Sequence, residues 1–526
     1  MASSFWNNQR KPIVILAGPL LGSLPVLFGL DTQQPAIERT AAVAICMGVW
    51  WIGEAVPLAV TALLPLVLFP LLGISSGKTI ASAYINSTIF LFLGGFLLAL
   101  AMERWDLHRR IALRIITLFG DRPPLLLLGF MLAAAVLSMW ISNTATAVML
   151  LPMVLAIITR LEYNGESGHV HVTRSPDARI PTDRSSNVEV GRLGRVLLIG
   201  TAYACSIGGV GTLIGTPPNL ILQRTYQITF PDATAIGFAD WMIFGIPLAF
   251  IALLIAWLLL LLMFRIRFQK SDYLHNDTLR AEYRALGAIR YEEIIVIIVF
   301  TFTALLWIFR ESISIDFGAE AQFIIPGWSG LLKNGDYLDD GTIAVAMSIV
   351  LFIIPAGREA RAGNQAHRIL DADVFRKVPW GIVLLFGGGF ALAEGFQSSG
   401  LAEYLTRYLG ELNTWPVLLM ILAITTMMIF LTEFTSNTAS TQMMLPVLAQ
   451  VAIAQAQPPL LLMIPAAVAA SMAFMMPVAT PPNAIVFGSE RLRVIDMARP
   501  GLVLNLIMSP VICALTLLFM HDGNFP

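Results

Sequence analysis

Two short motifs each occur twice in this 526-residue chain, and both carry groups that could bind ions. The Ser-Asn-Thr motif begins at Ser142 and again at Ser436, and Thr-Pro-Pro-Asn begins at Thr216 and again at Thr480. Each SNT tripeptide interrupts an apolar segment with a hydroxyl, an amide and a second hydroxyl. Each TPPN motif forces a helix break, because proline lacks an N–H and disfavours helix in the preceding residue. The four motifs therefore predict polar breaks within apolar helices.

Broken helices expose backbone groups that have no partner within the helix. Free carbonyls, together with Ser, Thr and Asn oxygens, suit a hard cation such as Na⁺. Free N–H groups at helix N-termini suit an anion. Such a site needs no buried lysine or arginine, and none of the 33 basic residues lies in these motifs.

The spacing of the hydroxyls supports cation coordination. Ser138 precedes Ser142 by four residues, so both can share one helix face. At an offset of 294 the equivalent residues are Thr432 and Ser436, and the second copy therefore keeps both oxygen ligands. Gly215 and Ala479, which precede the TPPN motifs, are small enough to leave their carbonyls accessible.

Composition identifies the elements that must position these motifs. The chain is 57% hydrophobic and 13% charged, against roughly 25% charged in soluble domains. Residues 241–264 contain no charge, as expected for a transmembrane helix. The net charge of −1 argues against a nucleic-acid partner. The sequence therefore predicts an all-α polytopic membrane protein and not an enzyme, and it lacks the HExxH and P-loop motifs.

Apolar runs and polar gaps predict eleven transmembrane helices and two re-entrant hairpins. The hairpins occupy 124–159 and 414–456, each with an SNT motif at its tip. The predicted crossings lie near 13–30, 39–55, 56–73, 85–103, 196–222, 241–264, 291–309, 342–356, 379–398, 460–487 and 500–520.

The distribution of basic residues predicts the orientation. With a cytoplasmic N-terminus, the inner segments hold 27 of the 33 Lys and Arg residues and the outer segments hold 6. Eleven crossings then place the C-terminus outside. Segment 310–341 is predicted to be an acidic outer loop.

The paired motifs define an internal repeat. SNT and the glycine motifs at Gly94 and Gly388 recur at an offset of 294, and TPPN recurs at 264. Five crossings separate the two hairpins, an odd number, so the second copy is predicted to be inverted. Inverted repeats with broken helices are typical of secondary transporters, whose binding site lies where the repeats meet.

Simpler interpretations exist for individual residues. Ser and Thr often make hydrogen bonds between membrane helices, and paired glycines usually serve close helix packing. Glu54, Glu394 and Glu433 lie in or near apolar runs, where carboxylates are often functional. They could equally lie at helix ends or pair with protein donors.

The motifs resemble those of the divalent anion:sodium symporter family, which includes the INDY transporters and the sodium-coupled dicarboxylate, citrate and sulfate cotransporters. The resemblance covers nearly the whole chain. It rests on the paired SNT and TPPN motifs, on VWWIGEAVPLAVTALLPLVLFPLLGI at 49–74 and on AFMMPVATPPNAIVFG at 473–488. Thr216 stands where some family members have Ser.

The resemblance implies two or more Na⁺ ions, no organic cofactor, and specific ligands. It implies a first sodium site at Ser138, Ser142, Asn143 and Gly215 and a second at Thr432, Thr435, Asn437 and Ala479. The residues implied for the substrate carboxylates are Asn143, Thr144, Thr216, Pro217, Asn437, Thr438, Thr480 and Pro481.

The resemblance also implies a homodimer in the plasma membrane or bacterial inner membrane, surrounded by lipid. Each protomer would move small anions by an elevator mechanism. Scaffold helices and interfacial segments would occupy 1–123 and 265–413, and the transport domain would occupy 124–264 and 414–526. The main expectation is Na⁺-coupled symport of di- or tricarboxylates such as succinate, malate, fumarate or citrate. A sodium-independent dicarboxylate exchanger, a sodium-sulfate symporter and a channel or sensor are the alternatives.

Overall fold

The structure, a computed structural model, is helical apart from one short sheet among the residues that it describes. These residues are 2–31, 33–119, 122–167, 184–266, 277–316, 322–358, 367–410 and 416–521.

The sheet is a difference from the predicted all-α fold. Strands β1 (Ile313–Asp316) and β2 (Gln322–Ile325) pair antiparallel, with Ile313 opposite Ile325. They lie in the segment that was expected to be an acidic outer loop. Strands of four residues are too short for an alternating pattern to be distinguished from loop sequence.

Thirteen helices precede residue 265 in the described part of the chain. They are α1 (Ala2–Gly22), α2 (Leu24–Leu27), α3 (Pro35–Ile52), α4 (Leu58–Thr61), α5 (Leu64–Leu71), α6 (Gly77–Ala83), α7 (Ser87–Arg104), α8 (Leu107–Thr117), α9 (Pro123–Ser138), α10 (Asn143–Ser167), α11 (Arg184–Gly209), α12 (Pro217–Thr229) and α13 (Phe238–Phe264).

The described residues of the second half contain ten further α-helices and three short 3₁₀ turns. The α-helices are α14 (Asp277–Ala285), α15 (Tyr291–Ile308), α16 (Asp340–Ile353), α17 (Trp380–Ser398), α18 (Leu401–Gly410), α19 (Val417–Thr432), α20 (Asn437–Ala454), α21 (Leu460–Ala470), α22 (Pro481–Phe487) and α23 (Val494–His521). The turns are Ser329–Leu331, Gly335–Tyr337 and Ala372–Arg376.

The helix bounds repeat at the offsets of the motifs. Helices α9 and α19 begin at Pro123 and Val417, which differ by 294, and they end at the same offset. Helices α12 and α22 begin at Pro217 and Pro481, which differ by 264. The repeated sequence therefore folds into repeated breaks as well as repeated helices.

Several predicted crossings are interrupted. The segment 56–73 forms two short helices, α4 and α5, because prolines at 57 and 65 remove backbone donors. The segments 196–222 and 460–487 each break before their TPPN motif. Within the described residues, six helices are long and apolar enough to cross a membrane, and six apolar helices of 10–17 residues accompany them.

The two copies interlock through their hairpins and broken helices. Helix α10 of the first hairpin packs on α22 of the second copy, and α12 of the first copy packs on α20 of the second hairpin. Helices α9, α11 and α13 pack beside one another, as do α19, α21 and α23. These contacts bring the four polar breaks into one region.

The glycine motifs allow two long helices to approach their neighbours closely. A Cβ on Gly94 of α7 would lie 2.5 Å from the Ala344 Cβ of α16. A Cβ on Gly388 of α17 would lie 2.3 Å from the Ala62 carbonyl oxygen, beside α4. The prediction that these glycines serve close packing is confirmed at both positions.

Candidate functional site

One cavity, of about 790 Å³, lies where the four polar breaks meet. Its wall includes both SNT motifs and the start of both TPPN motifs. All eight residues predicted for the substrate line it. They are Asn143, Thr144, Thr216, Pro217, Asn437, Thr438, Thr480 and Pro481.

The serine of each SNT motif caps the helix that follows. The Ser142 hydroxyl accepts a hydrogen bond from the Ala145 N–H at 3.2 Å, and Ser436 accepts from the Ala439 N–H at 3.5 Å. Helices α10, α12 and α20 all begin at the cavity wall. The first N–H groups of α10 and α20 and the dipoles of all three helices favour an anion in the cavity, whereas α12 begins with Pro217 and Pro218, which have no N–H.

The asparagine of each TPPN motif holds the loop that precedes its helix. The Asn219 amide donates to the carbonyls of Gly209 at 3.2 Å and Thr212 at 2.7 Å. The Asn483 amide donates to the carbonyls of residues 473 and 476, at 3.3 and 3.1 Å, the same positions at the 264 offset. No role was predicted for these asparagines, although their place in a duplicated motif was a signal.

The predicted ligands of the first sodium site come together. Ser142, Asn143 and Gly215 line the cavity, and the fully buried Ser138 hydroxyl donates to Asn143 Oδ1 at 2.5 Å. A Cβ on Gly209 would lie 2.6 Å from Asn143 Oδ1 and 3.1 Å from the Gly215 carbonyl oxygen. These two oxygens therefore border one small space, which fits a cation cradle.

Three of the four predicted ligands of the second site lie together, and Thr432 is not among them. Thr435, Asn437 and Ala479 line the cavity. Thr432 is fully buried and does not line the cavity, and its hydroxyl donates to the Met428 carbonyl at 2.9 Å. Asn437 Oδ1 is buried without a hydrogen-bond partner among the described residues. A cation would satisfy this oxygen, whose burial is otherwise unfavourable.

Glu433, which follows the predicted ligand Thr432 in sequence, is fully buried. Its carboxylate accepts hydrogen bonds from the backbone N–H groups of Met475 at 2.8 Å and Met476 at 2.9 Å. The Asn505 amide donates to the same carboxylate at 2.6 Å. Glu433 thus pairs with protein donors and holds the loop before the second TPPN motif.

The first copy holds the equivalent loop with different groups. Met139 occupies the position of Glu433 at the 294 offset, and Thr212 occupies that of Met476 at the 264 offset. There the Thr212 hydroxyl donates to the Met139 carbonyl. The two copies therefore share geometry, but only the second has a buried carboxylate at this position.

Two charged side chains join the cavity wall from outside the motifs. Lys11 on α1 and Glu54 after α3 both line it. The four motifs contain no basic residue, as the sequence predicts. The cavity wall as a whole, however, includes Lys11. Glu394, the third candidate carboxylate, instead faces Arg224 at 3.9 Å.

Comparisons with known proteins identify the family of this chain. The family described as "Sodium:sulfate symporter transmembrane region" matches residues 6–521. The sodium-dependent dicarboxylate transporter SdcS of Staphylococcus saprophyticus is 40% identical over 515 residues, covering 98% of this chain and 92% of that protein. SdcS of Staphylococcus aureus strain USA300 is 41% identical over 516 residues, covering 96% and 92%.

A solved transporter shares the fold. MtrF of Neisseria gonorrhoeae, from a class of antimetabolite efflux pumps, aligns with a TM-score of 0.51 over 86% of this chain and 83% of its own, at 13% identity. Identity this low informs on the fold and not on the substrate. Because the family match spans almost the whole chain, this protein belongs to the sodium:sulfate symporter family, a family of multi-pass membrane transporters.

Proposed function

We propose that the protein is a secondary active transporter that couples Na⁺ to the uptake of di- or tricarboxylates of the succinate, malate, fumarate and citrate class. The observation that carries this proposal is the cavity, whose wall holds all eight predicted substrate residues from both repeats. Their hydroxyls, amides and helix N-termini are neutral donors for carboxylates. The two SdcS proteins, which bear the name of a sodium-dependent dicarboxylate transporter, support this substrate class.

The proposed ion sites flank the substrate. The first uses Ser138, Ser142, Asn143 and Gly215, and the second uses Thr432, Thr435, Asn437 and Ala479. Asn143 and Asn437 belong to both sets, so a bound ion would orient the amide that meets the substrate. Na⁺ and the anion would then stabilise each other in the cavity, and this mutual stabilisation is the physical basis of coupling.

The proposed architecture has eleven crossings and two re-entrant hairpins, with the N-terminus cytoplasmic and the C-terminus outside. Helices within 124–264 and 414–526 form the transport domain, and helices within 1–123 and 265–413 form the scaffold. The packing of α10 on α22 and of α12 on α20 supports one transport domain built from both copies.

The proposed mechanism is an elevator within a homodimer embedded in the plasma membrane or bacterial inner membrane. The scaffold residues Lys11, Gly53 and Ile382 line the cavity. Gly53 and Ile382 lie at the ends of α3 and α17, and Lys11 lies within α1 just before its predicted crossing, so the proposed orientation places all three on the cytoplasmic side. The cavity would therefore face the cytoplasm in this arrangement, and movement of the transport domain would carry it outward.

A substrate panel in proteoliposomes tests the proposal. Purified protein should take up labelled succinate under an inward Na⁺ gradient, and excess unlabelled dicarboxylate should compete. Uptake that does not depend on Na⁺ but requires a dicarboxylate inside the proteoliposomes would identify an exchanger. Na⁺-driven uptake of sulfate alone would identify a sulfate symporter, and a sustained, non-saturating conductance would identify a channel.

A further inference from the structure

Two side chains of opposite charge line the candidate cavity from the scaffold side. Lys11 lies on α1, and Glu54 lies just beyond the end of α3. Among the described residues that line the cavity, only these two are charged. Neither belongs to the duplicated motifs, and neither has a role in the site proposed above.

The fold holds these residues on one part of the wall. A Cβ on Gly53 would lie 2.4 Å from Val14 Cγ1, so α1 packs directly against the end of α3. The Trp50 indole also donates to a carbonyl of α1 at 3.2 Å. Glu54 has a φ of 46°, a left-handed conformation that is unfavourable for a residue with a side chain. Such backbone strain often occurs at functional positions.

Both charges remain available to a ligand. Lys11 and Glu54 are exposed, and no salt bridge engages either of them within the described part of the chain. Because neither charge is neutralised in a close ion pair, each can act on a ligand in the cavity.

We propose that Lys11 and Glu54 tune the affinity of the cytoplasm-facing cavity for its polyanionic substrate: Lys11 attracts the anion, and Glu54 limits its retention. This inference rests on the proposed function. Charges at the mouth of a cleft change the local concentration of an ion of opposite or like sign. A dicarboxylate carries two negative charges, so its interaction with each side chain is doubled.

The effect should occur on one side of the membrane. Both residues lie on proposed scaffold segments, so the moving site would meet them only in the inward-facing arrangement. Because both are exposed, salt should screen the effect strongly. A general structural role would not produce an effect that is confined to one membrane face, opposite in sign for the two residues and weakened by salt. These three features therefore distinguish the proposed role.

Transport measurements on oriented membrane vesicles test the proposal. In inside-out vesicles at low salt, Lys11→Gln should raise the KM for succinate about three- to fivefold, and Glu54→Gln should lower it by a similar factor. Both differences should shrink at high ionic strength, and the KM in right-side-out vesicles should stay unchanged. Lys11→Arg, which keeps the positive charge, should have the wild-type KM. Lys78 is exposed and does not line the cavity, so Lys78→Gln should leave the KM unchanged.

The outcomes separate this inference from the function on which it rests. If wild-type protein moves succinate with Na⁺ but neither variant changes the KM, the charge effect is wrong and the proposed function stands. Shifts of the same sign in both variants, or equal shifts on both faces, also overturn the inference. If wild-type protein does not transport carboxylates, both proposals fail.

Discussion

Two asparagine side chains, Asn143 and Asn437, connect the proposed ion sites to the proposed substrate site. Each begins a helix at the cavity wall. An asparagine amide has an oxygen that can face Na⁺ and an NH₂ group that can donate to a carboxylate. Asn437 Oδ1 is buried and has no hydrogen-bond partner in the described part of the chain, as expected for an oxygen that would coordinate the proposed ion.

Replacing either asparagine by alanine should abolish Na⁺-driven succinate uptake. The change removes one ligand of the cation and one donor to the anion, and each hydrogen bond to a charged group contributes about 1.5–3 kcal/mol. Uptake by purified variants in proteoliposomes, normalised to protein amount, measures the loss. Asn334→Ala, at an exposed position that does not line the cavity, is the matched control. Wild-type uptake in both cavity variants would contradict the site.

Gly209→Ala should weaken the first sodium site selectively. The added Cβ would fill the space between Asn143 Oδ1 and the Gly215 carbonyl oxygen. We expect the Na⁺ concentration for half-maximal uptake to rise at least tenfold, the order of effect typical when the surroundings of a metal ligand are disturbed. Gly191→Ala is the control on the same helix, because a Cβ there meets nothing within 4 Å. An unchanged Na⁺ dependence in Gly209→Ala would exclude a cation from this space.

At the scale of elements, the two copies hold the same loop with different chemistry. Glu433 accepts two backbone N–H groups and the Asn505 amide in the second copy. Thr212 and Met139 make the equivalent link in the first copy. The loop before α22 therefore depends on a negative charge, whereas the loop before α12 does not.

Glu433→Gln should destabilise the second copy and reduce transport. A glutamine has only one acceptor oxygen, and its NH₂ group would face the N–H donors that now bind the carboxylate. At least one hydrogen bond is therefore lost, which should lower the free energy of unfolding by about 1.5–3 kcal/mol. The melting temperature of purified protein and succinate uptake should both fall. Glu394→Gln, whose carboxylate lies 3.9 Å from Arg224 and is partly exposed, should have a smaller effect on both. Equal effects of the two variants would contradict the loop-holding role.

The repeat made much of the element layout predictable. Prolines and duplicated motifs marked the breaks before α12 and α22, because proline acts locally on the backbone. The split of segment 56–73 was missed, although its prolines were visible, because hydropathy alone merges adjacent short helices. Lys11 could not be placed at the cavity, because its position depends on how α1 packs against α3, and sequence spacing does not encode that contact.

At the scale of the whole molecule, the elevator proposal requires the scaffold to slide against the transport domain. Gly48 on the scaffold helix α3 and Met443 on α20 meet across this proposed boundary, since a Cβ on Gly48 would lie 2.8 Å from Met443 Cε. In a background lacking Cys46, Cys205 and Cys513, cysteines at both positions joined by a short thiol cross-linker should stop succinate uptake. Cleaving the cross-link should restore it.

The matched control joins two helices within the proposed transport domain. A Cβ on Gly194 of α11 would lie 3.3 Å from the side chain of Ile158 on α10. Cysteines at these two positions should cross-link with little loss of uptake, because both helices would move together. Full uptake by the cross-linked Gly48 and Met443 pair would contradict relative movement at this boundary.

In the proposed function, two sodium ions and one carboxylate substrate share the cavity and cross the membrane together. Its most direct test is the steady-state accumulation of succinate in proteoliposomes as the imposed Na⁺ ratio is varied, with the membrane potential clamped at zero. The logarithm of the succinate ratio should rise in a straight line against the logarithm of the Na⁺ ratio, with a slope of at least about two, one for each proposed ion. A slope of zero would contradict sodium coupling, and a slope of one would contradict the two-ion site.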